Sequence, residues 1–119
     1  MKTKITLLGS VPSKKNSRIN TRSGRSFPSA KYTAWHKDAV QQLVGVKKIP
    51  SKTPLVFTYY SDSMRSGDLS NKWQSIEDTF TDCGIINDDN WFELPDIHMI
   101  YGGQDKLNPR AEIEYEEKN

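Results

Sequence analysis

Residues 54–84 read PLVFTYYSDSMRSGDLSNKWQSIEDTFTDCG, and a change of period inside that stretch decides the fold. Pro54 to Tyr60 is dense in β-branched and aromatic residues, which favours a strand. Ser61 to Gly67 is a polar connection. From Leu69 to Cys83 the apolar residues Leu69, Trp73, Ile76, Phe80 and Cys83 recur at spacings of three and four, which predicts one buried helical stripe. Asp68 stands where an N-cap belongs, and Gly84 stops the helix.

Working outward, Lys4-Ile5-Thr6-Leu7-Leu8 reads as a first strand ended by Gly9. Ser10 to Ser29 contains Pro12, Gly24 and Pro28 and has no period, so it is expected to be a long loop. Ser29 is placed to cap a first helix whose stripe is Tyr32, Trp35, Ala39, Leu43 and Val46, with Gly45 and Pro50 bracketing its end. Beyond the central stretch, Ile97, Met99 and Tyr101 alternate as a strand that Gly102-Gly103 is expected to break. Ala111, Ile113 and Tyr115 alternate with acids in a last, half-exposed strand. The order β-loop-α-β-α-β-β predicts a single α+β domain with a small mixed sheet and two main helices.

A length of 119 residues suits one core, and a hydrophobic content of 34% makes that core thin. Thin cores are often completed by a second copy, so a homodimer is expected. One cysteine, Cys83, cannot form an internal disulfide, which suits a reducing compartment. No apolar run approaches the roughly 20 residues of a membrane span, and no signal peptide is read at the start, so a cytoplasmic location is expected.

The net charge of +2 conceals a division. Residues 1–60 carry 12 Lys/Arg against one acid, Asp38, for a net +11; residues 61–119 carry 5 against 14 acids, for a net −9. A polyanion partner is expected on the basic half and a cation on the acidic half. Lys14, Lys15, Arg18, Arg22, Arg25 and Lys31, with Asn16 among them, lie within 18 residues. These residue types make phosphate contacts that give affinity without reading sequence, so the arm is a candidate DNA grip.

The acidic half offers Asp68, Asp88 and Asp89 as candidate Mg²⁺ ligands, with Asn71 beside Asp68. Hydrolysis of a phosphodiester needs an activated water and neutralised phosphate charge, and carboxylates holding Mg²⁺ supply both. Asp68 and Asp78 are separated by ~15 Å of helix at ~1.5 Å per residue, too far to share an ion. The segment after Gly84 can double back by roughly 17–20 Å at ~3.3 Å per residue, which would bring Asp88 or Asp89 to Asp68 within one subunit. In an extended segment those two acids point to opposite sides, so at most one of them reaches the ion.

Asp68-Leu69-Ser70-Asn71, Ser75-Ile76, Asp78 and Gly84-Ile85-Ile86-Asn87-Asp88-Asp89 together resemble the RusA family of Holliday junction resolvases, whose pattern runs D-L-D-N, a Lys three residues on, a further Asp, and G-hydrophobic-x-x-D-D. Pro12-Ser13-Lys14-Lys15-Asn16 and the Ser29, Lys31, Tyr32, Trp35 entry to the first helix agree with it. The likeness spans residues 4–115. It implies a Mg²⁺-dependent homodimeric endonuclease, with Mn²⁺ able to substitute, that resolves four-way junctions in a bacterial or phage-infected cell. Asp68, Asp88 and Asp89 match the family acids.

Two positions depart from the pattern: Ser70 replaces the second aspartate and Gln74 the lysine. Lys72 is the nearest cation, but a two-residue shift turns it by ~200°, so it is expected to reach the site only through an irregular first turn or a folded-back side chain. The alternative function is a RusA-like module that binds branched DNA with weak or lost cutting.

The remaining candidates have plainer readings. His36 and His98 have no metal-spaced partner. Cys83, Trp35, Trp73 and Phe80 are core or interface residues, and Glu77 and Asp78 are solvated or hydrogen-bonded helix residues. Trp91 and Phe92 follow the acidic turn, where an exposed aromatic could wedge into a junction.

Overall fold

The computed structural model describes residues 2–13, 18–20, 26–64, 67–88 and 90–117. The elements are β1 (Lys2–Leu8), β2 (Arg18–Asn20), β3 (Ser26–Pro28), α1 (Ala30–Gln42), β4 (Leu55–Ser61), α2 (Leu69–Asp82), β5 (Ile97–Gln104) and β6 (Arg110–Glu116). Four strands form one mixed sheet in the order β1-β6-β4-β5, antiparallel except for the β4/β5 pair. The parallel pair follows from α2, because a parallel neighbour requires a long crossover and the helix supplies it. This is the expected α+β single domain with two helices.

The alternation in each strand sorts its residues between two faces. Leu55, Phe57 and Tyr59 of β4, Ala111, Ile113 and Tyr115 of β6, and Ile5 and Leu7 of β1 are buried on the face covered by the helices. Trp73, Ile76 and Phe80 of α2 pack there, with the Phe57 and Trp73 rings 5.4 Å apart and Trp73 edge-on to Phe80 at 6.4 Å. Full burial of such side chains contributes on the order of 1.5–3 kcal/mol each. Ala39 and Leu43 of α1 complete the layer, while Trp35 and Cys83 are half-buried at its margin. The opposite face is partly exposed and mixes polar with apolar side chains, and Lys4 lies 3.7 Å from Glu112 across β1 and β6.

Both helix starts have the expected caps. The Ser29 Oγ accepts from the Tyr32 N–H at 3.2 Å, and the Asp68 carboxylate accepts from the Ser70 N–H at 2.9 Å. Two expectations are corrected. The Ser10–Ser29 segment is not all loop: β2 and β3 pair antiparallel, Arg18 opposite Pro28 and Asn20 opposite Ser26. Three-residue strands are too short to show a period. Gly102-Gly103 does not break β5, which continues to Gln104 through a register shift opposite Tyr59/Tyr60. A Cβ on Gly102 would lie 2.5 Å from the Tyr60 ring, so a glycine there admits that ring. The Arg110 guanidinium covers the same ring at 4.0 Å from its centroid.

Among the described residues, no helix is long and apolar enough to cross a membrane.

Candidate functional site

A groove of about 800 Å³ opens at the carboxyl end of β4, where both helices begin. Its walls come from the segment after β1, Lys31 in the first turn of α1, Tyr59 and Asp62 at the end of β4, Asp68, Asn71 and Lys72 at the start of α2, and Tyr101 of β5. Three candidates from the sequence, Asp68, Asn71 and Lys72, therefore meet Lys31 in one place. A helix start exposes unpaired N–H groups and a positive dipole end, which suits a groove for anions.

Asp68 and Lys72 stand one turn apart, and the Lys72 N–H donates to the Asp68 carbonyl at 3.2 Å. Side chains four residues apart share a helix face. Lys72 thus lines the groove without an irregular turn, which corrects the expectation set by its offset from position 74. Gln74, at the family lysine position, is exposed and does not line the groove. Ser70 donates its hydroxyl to Asp68 Oδ1 at 2.7 Å as well as its N–H. Where the family pattern carries a second charge, this chain carries a donor to the first.

The Lys72 ammonium donates to the Val11 carbonyl at 2.7 Å and lies 5.8 Å from the Tyr59 ring centroid. Partial burial lowers its pKa, the Lys31 charge lowers it further, and the Asp62 carboxylate opposes both. The Val11 N–H donates to the Tyr59 hydroxyl at 3.1 Å, and burial raises the pKa of that phenol. The buried Ser75 hydroxyl donates to the Pro12 carbonyl at 2.7 Å. Both backbone groups of Val11 and the carbonyl of Pro12 are therefore fixed, so the root of the basic arm is pinned to α2 and to β4 beside Asp68.

Asp62, Tyr59 and Ser75 were not singled out from the sequence as functional residues. Asp62 had no local signal, since it lies in a polar connection and gains meaning only where β4 ends at the groove. Ser75 sits within the quoted pattern, but its bond to Pro12 spans 63 positions. Tyr101, read only as a strand residue, also borders the groove, with its hydroxyl 2.6 Å from Ser61 Oγ.

Asp88 is not brought to Asp68. Gly84 takes a positive φ of 72°, Ile85 and Ile86 bury their side chains, and the chain is tied to residues 49–52, ahead of β4, instead of returning along the helix. The Ile49 N–H donates to the Ile85 carbonyl at 2.7 Å, and Asn87 donates to Ser51 at 3.0 Å. These contacts lie before the start of β4, whereas the groove lies at its end, so Asp88 and Asp68 are at opposite ends of α2. Asp88 instead accepts from Asn90 at 3.2 Å. Asp89 lies outside the described residues, as do Lys14, Lys15, Asn16, Arg22 and Arg25, and of Arg18 only the backbone, in β2, is described.

Among the described residues, no group of three or more His, Cys, Asp or Glu side chains sits together as a metal cage. Mg²⁺ commonly takes one or two carboxylates and completes its shell with water and phosphate. Asp68 and Asp62, with the amide oxygen of Asn71, offer donors of the fitting kind in one groove. His36 contacts Asp82 at 3.0 Å between the helices, and His98 contacts Asp96 at 3.3 Å. Glu77 accepts from the Trp73 indole at 2.6 Å. Trp91 and Phe92 are exposed and meet edge to face at 6.0 Å.

No protein-family model matches the chain, and no curated protein matches it.

Proposed function

We propose that the chain is a cytoplasmic, homodimeric, structure-specific endodeoxyribonuclease that nicks branched DNA, four-way junctions above all, with Mg²⁺ or Mn²⁺. One observation carries this reading: Asp68, Lys72 and Lys31 share a groove with the pinned root of the basic arm. Acid, cation and phosphate grip then act on the same stretch of DNA backbone.

Asp68 is the principal metal ligand, and Asp62 lies in the same groove as a second carboxylate. A Mg²⁺ held there supplies an acidified water and neutralises phosphate charge. Asp88, at the opposite end of α2, lies outside this groove. Lys72, held by Val11, sets a positive charge against the phosphate as charge develops on it. Asn71 orients the phosphate or a water, and Lys31 with the arm of Lys14, Lys15, Asn16, Arg18, Arg22 and Arg25 binds flanking phosphates. The test is nicking of a four-way junction against a linear duplex of the same sequence, with Mg²⁺ and then with chelator.

A second reading, a branched-DNA-binding module with weak cutting, is favoured by the Ser70 bond to Asp68 and by the distant Asp88. Junction binding with no nicking at any Mg²⁺ or Mn²⁺ concentration would select it.

A further inference from the structure

The two edges of the main sheet are treated differently. At the β1 edge, Gln42 of α1 binds both backbone groups of Leu8, accepting from its N–H at 2.8 Å and donating to its carbonyl at 3.2 Å. Lys2 and Lys4 on that strand add charge, and both devices discourage another strand from pairing there. β5 has neither. Among the described residues its one strand neighbour is β4, and its eight residues, 97–104, include no Lys, Arg, Asp or Glu in a chain that is 27% charged.

The side chains of β5 are exposed on both faces. Met99 and Tyr101 align with the helix-facing residues Phe57 and Tyr59, and Ile100 aligns with Thr58 on the opposite face. All three are apolar and open to solvent, at 37%, 51% and 47% of their surface. A partner laid on either face would leave the other wet. A strand added beside β5 shields both faces and pairs its outer N–H and C=O groups.

We propose that a second copy of this chain supplies that strand, its β5 running antiparallel to the first across a twofold axis. An edge pairing with itself is isologous, so each N–H of one copy that meets a C=O of the other is matched by the symmetry-related bond. An uncharged strand meets no like charge in its copy. The acids that flank it are engaged within the chain, Asp96 with His98 and Asp105 with Arg110 at 2.8 Å. The joined sheet has eight strands with all four helices on one face, because the axis is normal to the sheet. Tyr101 borders the groove, so the interface is continuous with the candidate site, and the two grooves face in opposite directions. This inference rests on the homodimer proposed above but not on DNA cleavage.

The test uses the full chain without DNA or metal. Light scattering after size exclusion is expected to give twice the 13.6 kDa chain mass for the wild type. Ile100→Asp, on the half-exposed edge, is expected to run at the single-chain mass with an unchanged circular dichroism spectrum. Leu107→Asp, at a residue 95% exposed in the turn after β5, is expected to remain dimeric. Should Ile100→Asp not fold, hydrogen exchange on the wild type decides: β5 amides are expected to slow as protein concentration rises. A monomeric wild type, or β5 amides indifferent to concentration, overturns the proposal. So does a dimer that Ile100→Asp leaves intact, which would keep the homodimer and remove this interface, or protection of β5 only by some other partner.

Discussion

Ser70 donates both its N–H and its hydroxyl to one oxygen of Asp68, at 2.9 and 2.7 Å, so the residue that departs from the resolvase pattern is bonded to the acid that keeps it. Replacing Ser70 with Asp would put a second carboxylate beside the first. Ser70→Asp is expected to raise junction cleavage at limiting Mg²⁺ and to lower stability without Mg²⁺ through like-charge repulsion. Mg²⁺ titrations of cleavage and of thermal melting, on both proteins, check this; an unshifted Mg²⁺ dependence contradicts it.

Asp68 also caps α2, and the two roles can be separated. Asn is nearly as good an N-cap as Asp, whereas Ala costs about 0.5–2 kcal/mol. Asp68→Asn is therefore expected to keep its denaturation midpoint while Asp68→Ala loses stability in that range. Urea unfolding of the three proteins reads the difference.

Lys72 gives a pH dependence whose sign is fixed. Burial lowers its folded pKa below the ordinary 10.5. Below the folded value both states hold the proton, and the cost of burying the charge is present in full. Between the folded value and 10.5 the unfolded chain holds more protons, so stability rises with pH through that window. The stability of the wild type relative to Lys72→Met is expected to increase as pH rises towards 10.5, measured by denaturant unfolding at each pH. A difference that is flat or falls would contradict the burial of Lys72.

Gly102 has no room for a side chain. Gly102→Ala sets a methyl group 2.5 Å from the Tyr60 ring, which Arg110 covers on its other contact. Overpacking of this kind costs typically about 1–3 kcal/mol. In a Tyr60→Ala background the same change is expected to cost less, and a double-mutant cycle on unfolding free energies measures the coupling.

The parts of the molecule legible in the sequence are those set by neighbours in the chain. The β4 alternation, the Leu69–Cys83 stripe and both caps depend on residues within a turn or two, and all appear in the structure. What the sequence hid depends on distant contacts. β5 passes through two glycines because of a ring on β4, and Asp62 joins the groove only because β4 ends there. The segment after Gly84 turns away from Asp68 because Ile85 and Ile86 are drawn into the core. Lys72 is offset by two from position 74, yet its spacing of four from Asp68 puts the two on one face.

The nuclease proposal turns on Asp68, and the most direct measurement is strand nicking of a labelled four-way junction by wild type and Asp68→Asn at saturating Mg²⁺, with junction binding followed in parallel. Loss of an outer partner of a metal ligand alone costs about 10–100-fold, so removing the ligand's charge is expected to slow nicking by at least about 100-fold while binding persists. Equal nicking by the two proteins would contradict the proposal.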